Sequence, residues 1–143
     1  MNILEQLKSG VQTDSAQETQ SIAHELTEEI PNNCTLALYG EMGTGKTTFV
    51  KGLAQAWGIT QTITSPTFSI FNIYKGNRTL IHVDAYRLEN ELQAEALLLE
   101  EFLNPPYCLV IEWPEKMGAS LPDDAYKIKF AAIKNNEHTI QII

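Results

Sequence analysis

One octapeptide, at residues 40–47, constrains the fold more than any other part of the sequence: it reads Gly-Glu-Met-Gly-Thr-Gly-Lys-Thr. It matches the pattern G-x-x-x-x-G-K-[ST], whose glycines let successive backbone N–H groups point inward without obstruction by side chains. The apolar run at 35–39 comes directly before it and suits a buried parallel strand. A helix is expected to begin at Lys46 or Thr47, because apolar residues follow at helical spacing and Gly58 is placed to end it. The sequence therefore predicts a strand, a glycine-rich loop and a helix in direct succession.

Backbone N–H groups that converge in such a loop form a cradle for phosphate oxygens. In this pattern Lys46 neutralises the outer phosphates of a nucleotide, and the Thr47 hydroxyl is placed where Mg²⁺ is held. The N-terminus of the following helix adds a partial positive charge. The sequence therefore predicts ATP and Mg²⁺ as cofactors. The candidate ATP-binding residues of the loop are Glu41, Met42, Gly43, Thr44, Gly45, Lys46, Thr47 and Thr48.

Three other interpretations of the phosphate loop compete with an ATPase. A GTPase is disfavoured because the base-reading string N-K-x-D and the switch string D-x-x-G do not occur. A small-molecule kinase is an alternative, but such kinases usually bring a lid with several Lys or Arg, and the sequence has no such cluster. A nucleotide-gated binding module is a further alternative, in which ATP orders a loop for a partner and hydrolysis is incidental.

Two carboxylates are candidates for the acid that holds the metal ion or its waters. Glu112 follows the apolar run at 107–111, and Asp84 follows the β-rich run at 79–83 in the same way. Such an acid is needed because a phosphate loop alone does not hydrolyse a nucleotide. Each residue taken alone also fits a solvated carboxylate at a strand end. We assign both Asp84 and Glu112 a catalytic and metal-binding role and leave the choice between them open.

Three further residues have more than one interpretation. Thr67, the third candidate catalytic residue, lies in the polar segment Ser65-Pro66-Thr67, where a hydroxyl would sense the γ-phosphate as switch loops do, although an ordinary turn fits equally well. Trp113 follows Glu112 and fits a core aromatic, a lid over the nucleotide or a partner contact. His82 fits a functional role or, as is usual for a lone histidine in a strand, a structural residue whose hydrogen bonds are satisfied.

The remaining patterns predict one domain, residues 1–143, with a P-loop NTPase-like three-layer α/β fold. Its mixed sheet would carry helices on both faces and added antiparallel strands. A capping box at Ser15 and Glu18 predicts a helix that ends before Pro31. Hairpins are expected from the run 68–74 with 79–83, and from 126–130 with 139–143. An amphipathic helix is expected between them, with an apolar face of Leu88, Leu92, Ala96, Leu99 and Leu103.

The charge of the chain bears on its partners. A formal net charge of −8 disfavours direct binding of nucleic acid, since phosphate binding is driven by clustered Lys and Arg. Residues 1–10 lack the apolar core of a secretory signal, and no stretch approaches the ~20 apolar residues of a membrane span. A cytoplasmic protein without membrane contact is expected.

Four motifs occur in a recognisable order. They are the phosphate loop at 40–49, Ser-Pro-Thr-Phe at 65–68, His-Val-Asp-Ala-Tyr-Arg at 82–87 and Ile-Glu-Trp-Pro-Glu at 111–115. In this order and spacing the chain resembles the TsaE (YjeE) family of bacterial ATPases, from the first helix to about Glu115. Four ordered motifs are more specific than a phosphate loop alone. The family more often has Asp-Leu-Gly-Ala where this chain has Glu-Met-Gly-Thr at 41–44, a conservative change that leaves the cradle intact.

The resemblance implies an ATPase needed for the threonylcarbamoyl modification of the adenosine next to the anticodon of tRNA. It also implies the partner proteins TsaB and TsaD. In the family TsaD performs the transfer to tRNA, and the TsaE protein supplies ATP-dependent turnover of the complex. This chain would therefore meet tRNA only through its partners, in agreement with its acidic composition.

Position by position, the resemblance implies roles for the residues already singled out. Lys46 and Thr47 would be the phosphate and Mg²⁺ ligands, and Thr67 would lie in a switch-like loop. The two acids that end strands would be the functional carboxylates. Trp113 would belong with Glu112 as a site residue.

Overall fold

A computed structural model describes residues 2–64 and 70–143 of the chain. Within these residues seven strands form one sheet with helices on both faces. The strands are β1 Val11–Thr13, β2 Asn33–Tyr39, β3 Phe71–Lys75, β4 Thr79–Asp84, β5 Tyr107–Glu112, β6 Tyr126–Lys134 and β7 Glu137–Ile142. The α-helices are α1 Ile3–Ser9, α2 Ala16–Thr27, α3 Lys46–Ala56 and α4 Glu91–Glu95. Short 3₁₀ turns cover Leu99–Phe102, Pro114–Lys116 and Gly118–Ser120.

The strand order explains where the loops of the sheet meet. The order is β1-β7-β6-β2-β5-β4-β3, with β2 parallel to both β5 and β6, and β5 parallel to β4. The two predicted hairpins are present as the antiparallel pairs β3–β4 and β6–β7. The predicted mixed α/β sheet is confirmed. Because parallel strands have their carboxyl ends at the same edge, the ends of β2, β5 and β4 lie together.

Side-chain alternation along the central strands divides the core into two halves. Leu80 and Val110 pack with the helices α1, α2 and α3, whereas Ile81 and Ile111 pack on the opposite face with the segment around α4. Because successive side chains of a strand point to opposite faces, every second residue from Leu80 and Val110 faces α3. This set includes His82, Asp84 and Glu112. The sheet therefore projects both candidate acids towards the face that carries the phosphate loop.

The helix α2 begins as predicted. The Ser15 hydroxyl accepts a hydrogen bond from the Glu18 backbone N–H at 3.1 Å. The Glu18 carboxylate in turn accepts a bond from the Asp14 N–H at 3.3 Å, one residue before the cap. The helix ends at Thr27, before Pro31. The capping residues thus fix the position at which α2 starts across the face of α3.

The contact between α2 and α3 has no room for a side chain at Gly52. A Cβ added there would lie 2.7 Å from the Gln20 carbonyl oxygen and 2.8 Å from the Ala23 Cβ.

We expect Gly52→Ala to lower the free energy of unfolding by about 1–3 kcal/mol, because the clash forces the helices apart. Helix propensity alone predicts that the same substitution raises the free energy of unfolding by about 1 kcal/mol, so the clash and the propensity change the stability in opposite directions. Urea denaturation measures the difference, with Lys51→Ala, at an exposed position of α3, as the control. A stabilised Gly52→Ala protein would contradict the tight contact.

The predicted amphipathic helix over 88–103 is wrong in extent and in its buried face. The segment contains only the five-residue helix α4 and a separate 3₁₀ turn, divided at Leu98, whose φ is +53°. Asn90 is the N-cap of α4, because its side chain accepts a hydrogen bond from the Gln93 N–H at 3.0 Å. Leu88 therefore lies outside the helix. Leu92 is 72% exposed, whereas Ala94 is buried. A helix this short gains little from cooperativity, so local capping and packing decide the conformation.

Two elements at the start of the chain have no counterpart among the predicted ones. The helix α1 is capped by Asn2, whose side chain accepts a bond from the Glu5 N–H at 2.9 Å, and it buries Leu7. The strand β1 then joins the far edge of the sheet, where Val11 pairs with Ile140. These three strand residues pair only with a segment about 130 residues away, which a local pattern does not reveal. No helix in the described part of the chain has the length and apolar character to span a membrane.

Candidate functional site

The glycine loop at the end of β2 has a backbone that side chains would not permit. Gly40 has a φ of +148°, and a Cβ there would lie 2.6 Å from the Phe130 carbonyl oxygen. Gly45 has a φ of +102° and forms the N-cap of α3. Between them the Thr44 hydroxyl donates to the Glu41 carbonyl oxygen at 2.7 Å and closes the loop. The helix N-terminus is therefore open towards the space in front of the loop.

Lys46 is a buried cation that has no ion-pair partner among the described residues. Its side chain is held by the Gly40 carbonyl oxygen, 2.5 Å from Nζ, and by the Trp113 ring, whose centroid lies 4.5 Å from Nζ. Only 5% of the residue is exposed, and among residues 2–64 and 70–143 no acidic side chain forms an ion pair with it. Burying a charge without an opposite charge is costly. The position of Lys46 therefore favours an anion in front of it.

The two candidate acids lie side by side at the carboxyl edge of the sheet. Asp84 of β4 and Glu112 of β5 are register partners, and Glu112 is in turn opposite Leu38 of β2. Since β5 is adjacent to β2 and β4 is one strand further away, Glu112 belongs to the strand beside the phosphate loop. Asp84 Oδ1 accepts a bond from the Tyr86 N–H at 3.0 Å, in a local turn. Asp84 is half-buried, whereas Glu112 is 5% exposed.

Glu112 is held by a second buried side chain, that of His82. The His82 Nε2 atom lies 2.6 Å from Glu112 Oε2, and His82 is fully buried. The sequence left the role of His82 open, and this contact was not predicted. Its position two residues before Asp84 on the same strand was the available signal, because residues at i and i+2 share one face.

The loop, the acids and Trp113 surround one cavity of about 370 Å³. Its lining residues are Met42, Gly43, Gly45, Lys46, Thr47, Thr48, Asp84, Tyr86, Glu112, Trp113 and His138. Tyr86 and His138 were not found from the sequence. Glu41 and Thr44 do not line this cavity, and the third candidate catalytic residue, Thr67, lies outside the described residues.

A second cavity of about 370 Å³ adjoins the first. Gly45, Thr48 and His138 line both cavities. The remaining walls are formed by the start of α2 and the turn before β7: Asp14, Ser15, Ala16, Thr19 and Asn136. The two cavities thus form one elongated site along the start of α3, wide enough for a ligand longer than a phosphate group.

Trp113 has an unusual backbone for its size. Its φ of +58° and ψ of +50° place it in the left-handed region, which large side chains rarely adopt. The ring contacts Lys46 on one side and lies 5.1 Å from the Tyr86 ring on the other. Such strain persists where the surroundings fix the residue, and it clusters at functional sites. Trp113 therefore lies at the cavity wall, beside the cation, and is only half-buried.

The oxygen donors of the cavity are sparse. Among the described residues no cluster of three His, Cys, Asp or Glu side chains has the spacing of a metal site. The cavity instead offers the Thr47 hydroxyl and the carboxylates of Asp84 and Glu112. Mg²⁺ is commonly bound by one or two protein oxygens together with phosphates and waters, so this donor set fits a magnesium ion that arrives with a nucleotide.

A parallel strand that enters a glycine loop at the start of a helix, with acids at the ends of the next two parallel strands of the sheet, defines a P-loop NTPase-like fold. A family model described as Threonylcarbamoyl adenosine biosynthesis protein TsaE matches residues 13–140. The chain belongs to the TsaE family.

Individual relatives agree with this assignment. A tRNA threonylcarbamoyladenosine biosynthesis protein TsaE of Bacillus subtilis (strain 168) is 35% identical over 129 residues, which cover 90% of this chain and 80% of the relative. A protein of the same name from Treponema pallidum (strain Nichols) is 33% identical over 128 residues, which cover 90% of this chain and 95% of the relative. A crystal structure of Bacillus subtilis YdiB superposes with a TM-score of 0.74 at 32% identity and covers 92% of this chain and 81% of YdiB. The similarity therefore extends over nearly the whole fold.

Proposed function

We propose that this protein binds ATP with Mg²⁺ in the elongated site and hydrolyses it in support of tRNA threonylcarbamoyladenosine biosynthesis, with TsaB and TsaD as partners. The observation that carries the proposal is the buried ammonium of Lys46, which lies at the glycine loop and forms no ion pair with any acidic side chain that the structure describes. Membership of the TsaE family supports the pathway and the partners. The net charge of −8 supports a role that reaches tRNA through those partners.

The phosphates of the nucleotide are assigned to the first cavity. The N–H groups at the start of α3 and the Lys46 ammonium supply positive charge there, and both are directed at the same space. Thr48 lines both cavities and marks the passage from the phosphates to the nucleoside. The adenosine is assigned to the second cavity, between the start of α2 and the Asn136 turn.

Magnesium is assigned to the oxygen donors of the first cavity. Thr47 would hold the ion, with Asp84 or Glu112 binding it or its waters. When bound, the ion neutralises the charge of the β- and γ-phosphate oxygens. Glu112 is buried on the strand next to the one that carries the loop, so we assign it the role of positioning the attacking water. Asp84 lies in a more exposed turn, and we assign it the contact with the magnesium ion or its waters.

Nucleotide titration tests the binding half of the proposal. We expect ATP to bind at least about tenfold more tightly than GTP, a difference of about 1.4 kcal/mol, because the guanine-reading string is missing. Chelation of Mg²⁺ is expected to weaken ATP binding, since phosphate oxygens then face Asp84 and Glu112 without a cation between them. Isothermal titration calorimetry measures both, and intrinsic tryptophan fluorescence, to which Trp57 and Trp113 contribute, provides a second signal. Equal binding of GTP, or ATP binding that is indifferent to Mg²⁺, would contradict the assignment.

A further inference from the structure

The contact between His82 and Glu112 is a buried polar interaction that the proposed function leaves unexplained. His82 lies inside the sheet, on a central strand paired with both neighbours, and none of its surface is exposed. Its Nε2 atom is 2.6 Å from Glu112 Oε2. The other ring nitrogen, Nδ1, has no hydrogen-bond partner among the residues that the structure describes.

These contacts determine which nitrogen carries the hydrogen. With hydrogen on Nε2, the ring donates to the carboxylate and leaves only a buried lone pair at Nδ1. With hydrogen on Nδ1, a buried N–H would lack an acceptor, and two acceptor atoms would face each other at 2.6 Å. Of the two neutral tautomers, only the one with hydrogen on Nε2 lets His82 donate to the Glu112 carboxylate.

The two acids of the cavity are fixed by different means. Asp84 is oriented by a backbone N–H two residues further along its own chain segment. Glu112 has one more rotatable bond and is oriented by a side chain on the neighbouring strand. A substitution at His82 should therefore release Glu112 without releasing Asp84.

We propose that His82 is the positioning residue for Glu112: it occupies Oε2 from inside the sheet, so that the carboxylate keeps one orientation at the cavity wall. The proposal rests on the ATP hydrolysis proposed above, in which Glu112 orients the attacking water. Displacing a catalytic group by about 1 Å can cost a hundredfold in rate, so a fixed carboxylate is a large part of what such a site needs. Without His82, a buried carboxylate with free torsions would adopt several orientations.

The first test reads the ring itself and uses the unmodified protein without nucleotide. Two-dimensional NMR that correlates the ring nitrogens with the ring C–H protons distinguishes the two neutral tautomers. We expect a single Nε2–H tautomer for His82, which is identified by the loss of its signals in His82→Gln. A neutral ring with hydrogen on Nδ1 alone overturns the proposal, because Nε2 then cannot donate to Glu112, and the result does not depend on hydrolysis.

The second test compares two amides of similar size at position 82. The amide of Gln reaches close to the site of Nε2 and can donate to Glu112, whereas the shorter amide of Asn ends near the site of Nδ1. We expect His82→Asn to lower kcat about 10- to 100-fold, the usual cost of losing a supporting hydrogen bond, with KM for ATP changed less than about threefold. His82→Gln should recover several-fold of that loss. Equal kcat values for the two variants, or a loss confined to KM, would overturn the proposal.

A double variant separates positioning from general damage to the fold. In a Glu112→Gln background, His82→Asn should lower kcat by less than about twofold, because residues that act as a unit are not additive. The same factor in both backgrounds would show that His82 acts independently of Glu112 and would overturn the proposal. If the unmodified protein hydrolyses no ATP even with TsaB and TsaD, the proposed function fails, whereas normal hydrolysis in His82→Asn sinks only the role of His82.

Discussion

Replacing Lys46 with alanine is expected to weaken ATP binding by about 30- to several-thousandfold, the equivalent of about 2–5 kcal/mol for removing one partner of a buried charge pair. The large effect follows from the burial of the ammonium, which is screened little by water, and from the absence of any other Lys or Arg among the described residues that line the cavity. At ATP concentrations that do not saturate the Lys46→Ala protein, its rate of hydrolysis should fall together with its ATP binding.

The fold should tolerate this substitution. Lys46 contributes one hydrogen bond to Gly40 and a contact with Trp113, but within residues 2–64 and 70–143 it has no ion-pair partner. Removing an uncompensated charge relieves a cost, so the free energy of unfolding should change by less than about 1 kcal/mol. Calorimetric titration and thermal unfolding measure the two quantities separately.

Lys51→Ala provides the matched control for Lys46→Ala. It removes the same side chain from the same helix at an exposed position, and neither cavity is lined by it. Its ATP affinity should equal that of the unmodified protein. Unchanged ATP affinity in Lys46→Ala would instead remove the main support for a nucleotide in this cavity.

Glu112→Ala is expected to abolish partner-stimulated hydrolysis while leaving nucleotide binding largely intact. General-base and water-positioning groups contribute about 10²–10⁴ to rate, so kcat should fall in that range. The affinity for ATP should change far less, because the phosphates are assigned to the loop and Lys46. Glu112→Gln keeps the size of the side chain and should show the same loss.

The isolated chain should hydrolyse ATP slowly, and addition of the TsaB–TsaD complex should raise the rate. Phosphoryl transfer usually needs a second cation or an ordered switch at the transition state, and Lys46 is the one Lys or Arg at the cavity in the described residues. A partner would supply or order the missing group. Steady-state and single-turnover assays with and without TsaB–TsaD measure the stimulation.

Two controls make the Glu112 experiment specific. Glu115→Gln removes a carboxylate three residues away that is exposed and outside the cavity, and it should leave stimulated turnover unchanged. Asp84→Asn tests the other acid and should weaken the Mg²⁺ dependence of binding more than Glu112→Ala does. Full stimulated turnover in Glu112→Ala would end its catalytic assignment, and a lack of stimulation in the unmodified protein would end the partner-activated mechanism.

The sequence by itself determined the parts of this protein that depend on local chemistry. The octapeptide at 40–47 requires its glycines, and the observed φ of Gly45 is one that other residues rarely adopt. The cap at Ser15 and both hairpins followed from short-range patterns and are present in the structure. The order of the motifs along the chain was enough to identify the family.

The tertiary structure alone decided how those parts meet. The pairing of β5 with β2 joins residues about 75 positions apart, and it sets Glu112 beside the phosphate loop and Asp84 one strand further out. The contact of His82 with Glu112 and the arrival of His138 at the cavity depend on the same long-range pairing. The prediction of one helix over 88–103 was wrong for a related reason. The apolar residues of this segment have helical spacing, but in the structure Leu88 and Ala94 are buried against the sheet and Leu92 is exposed to solvent. Local periodicity records which residues are apolar, whereas the surface available for their burial is defined only once distant strands have paired.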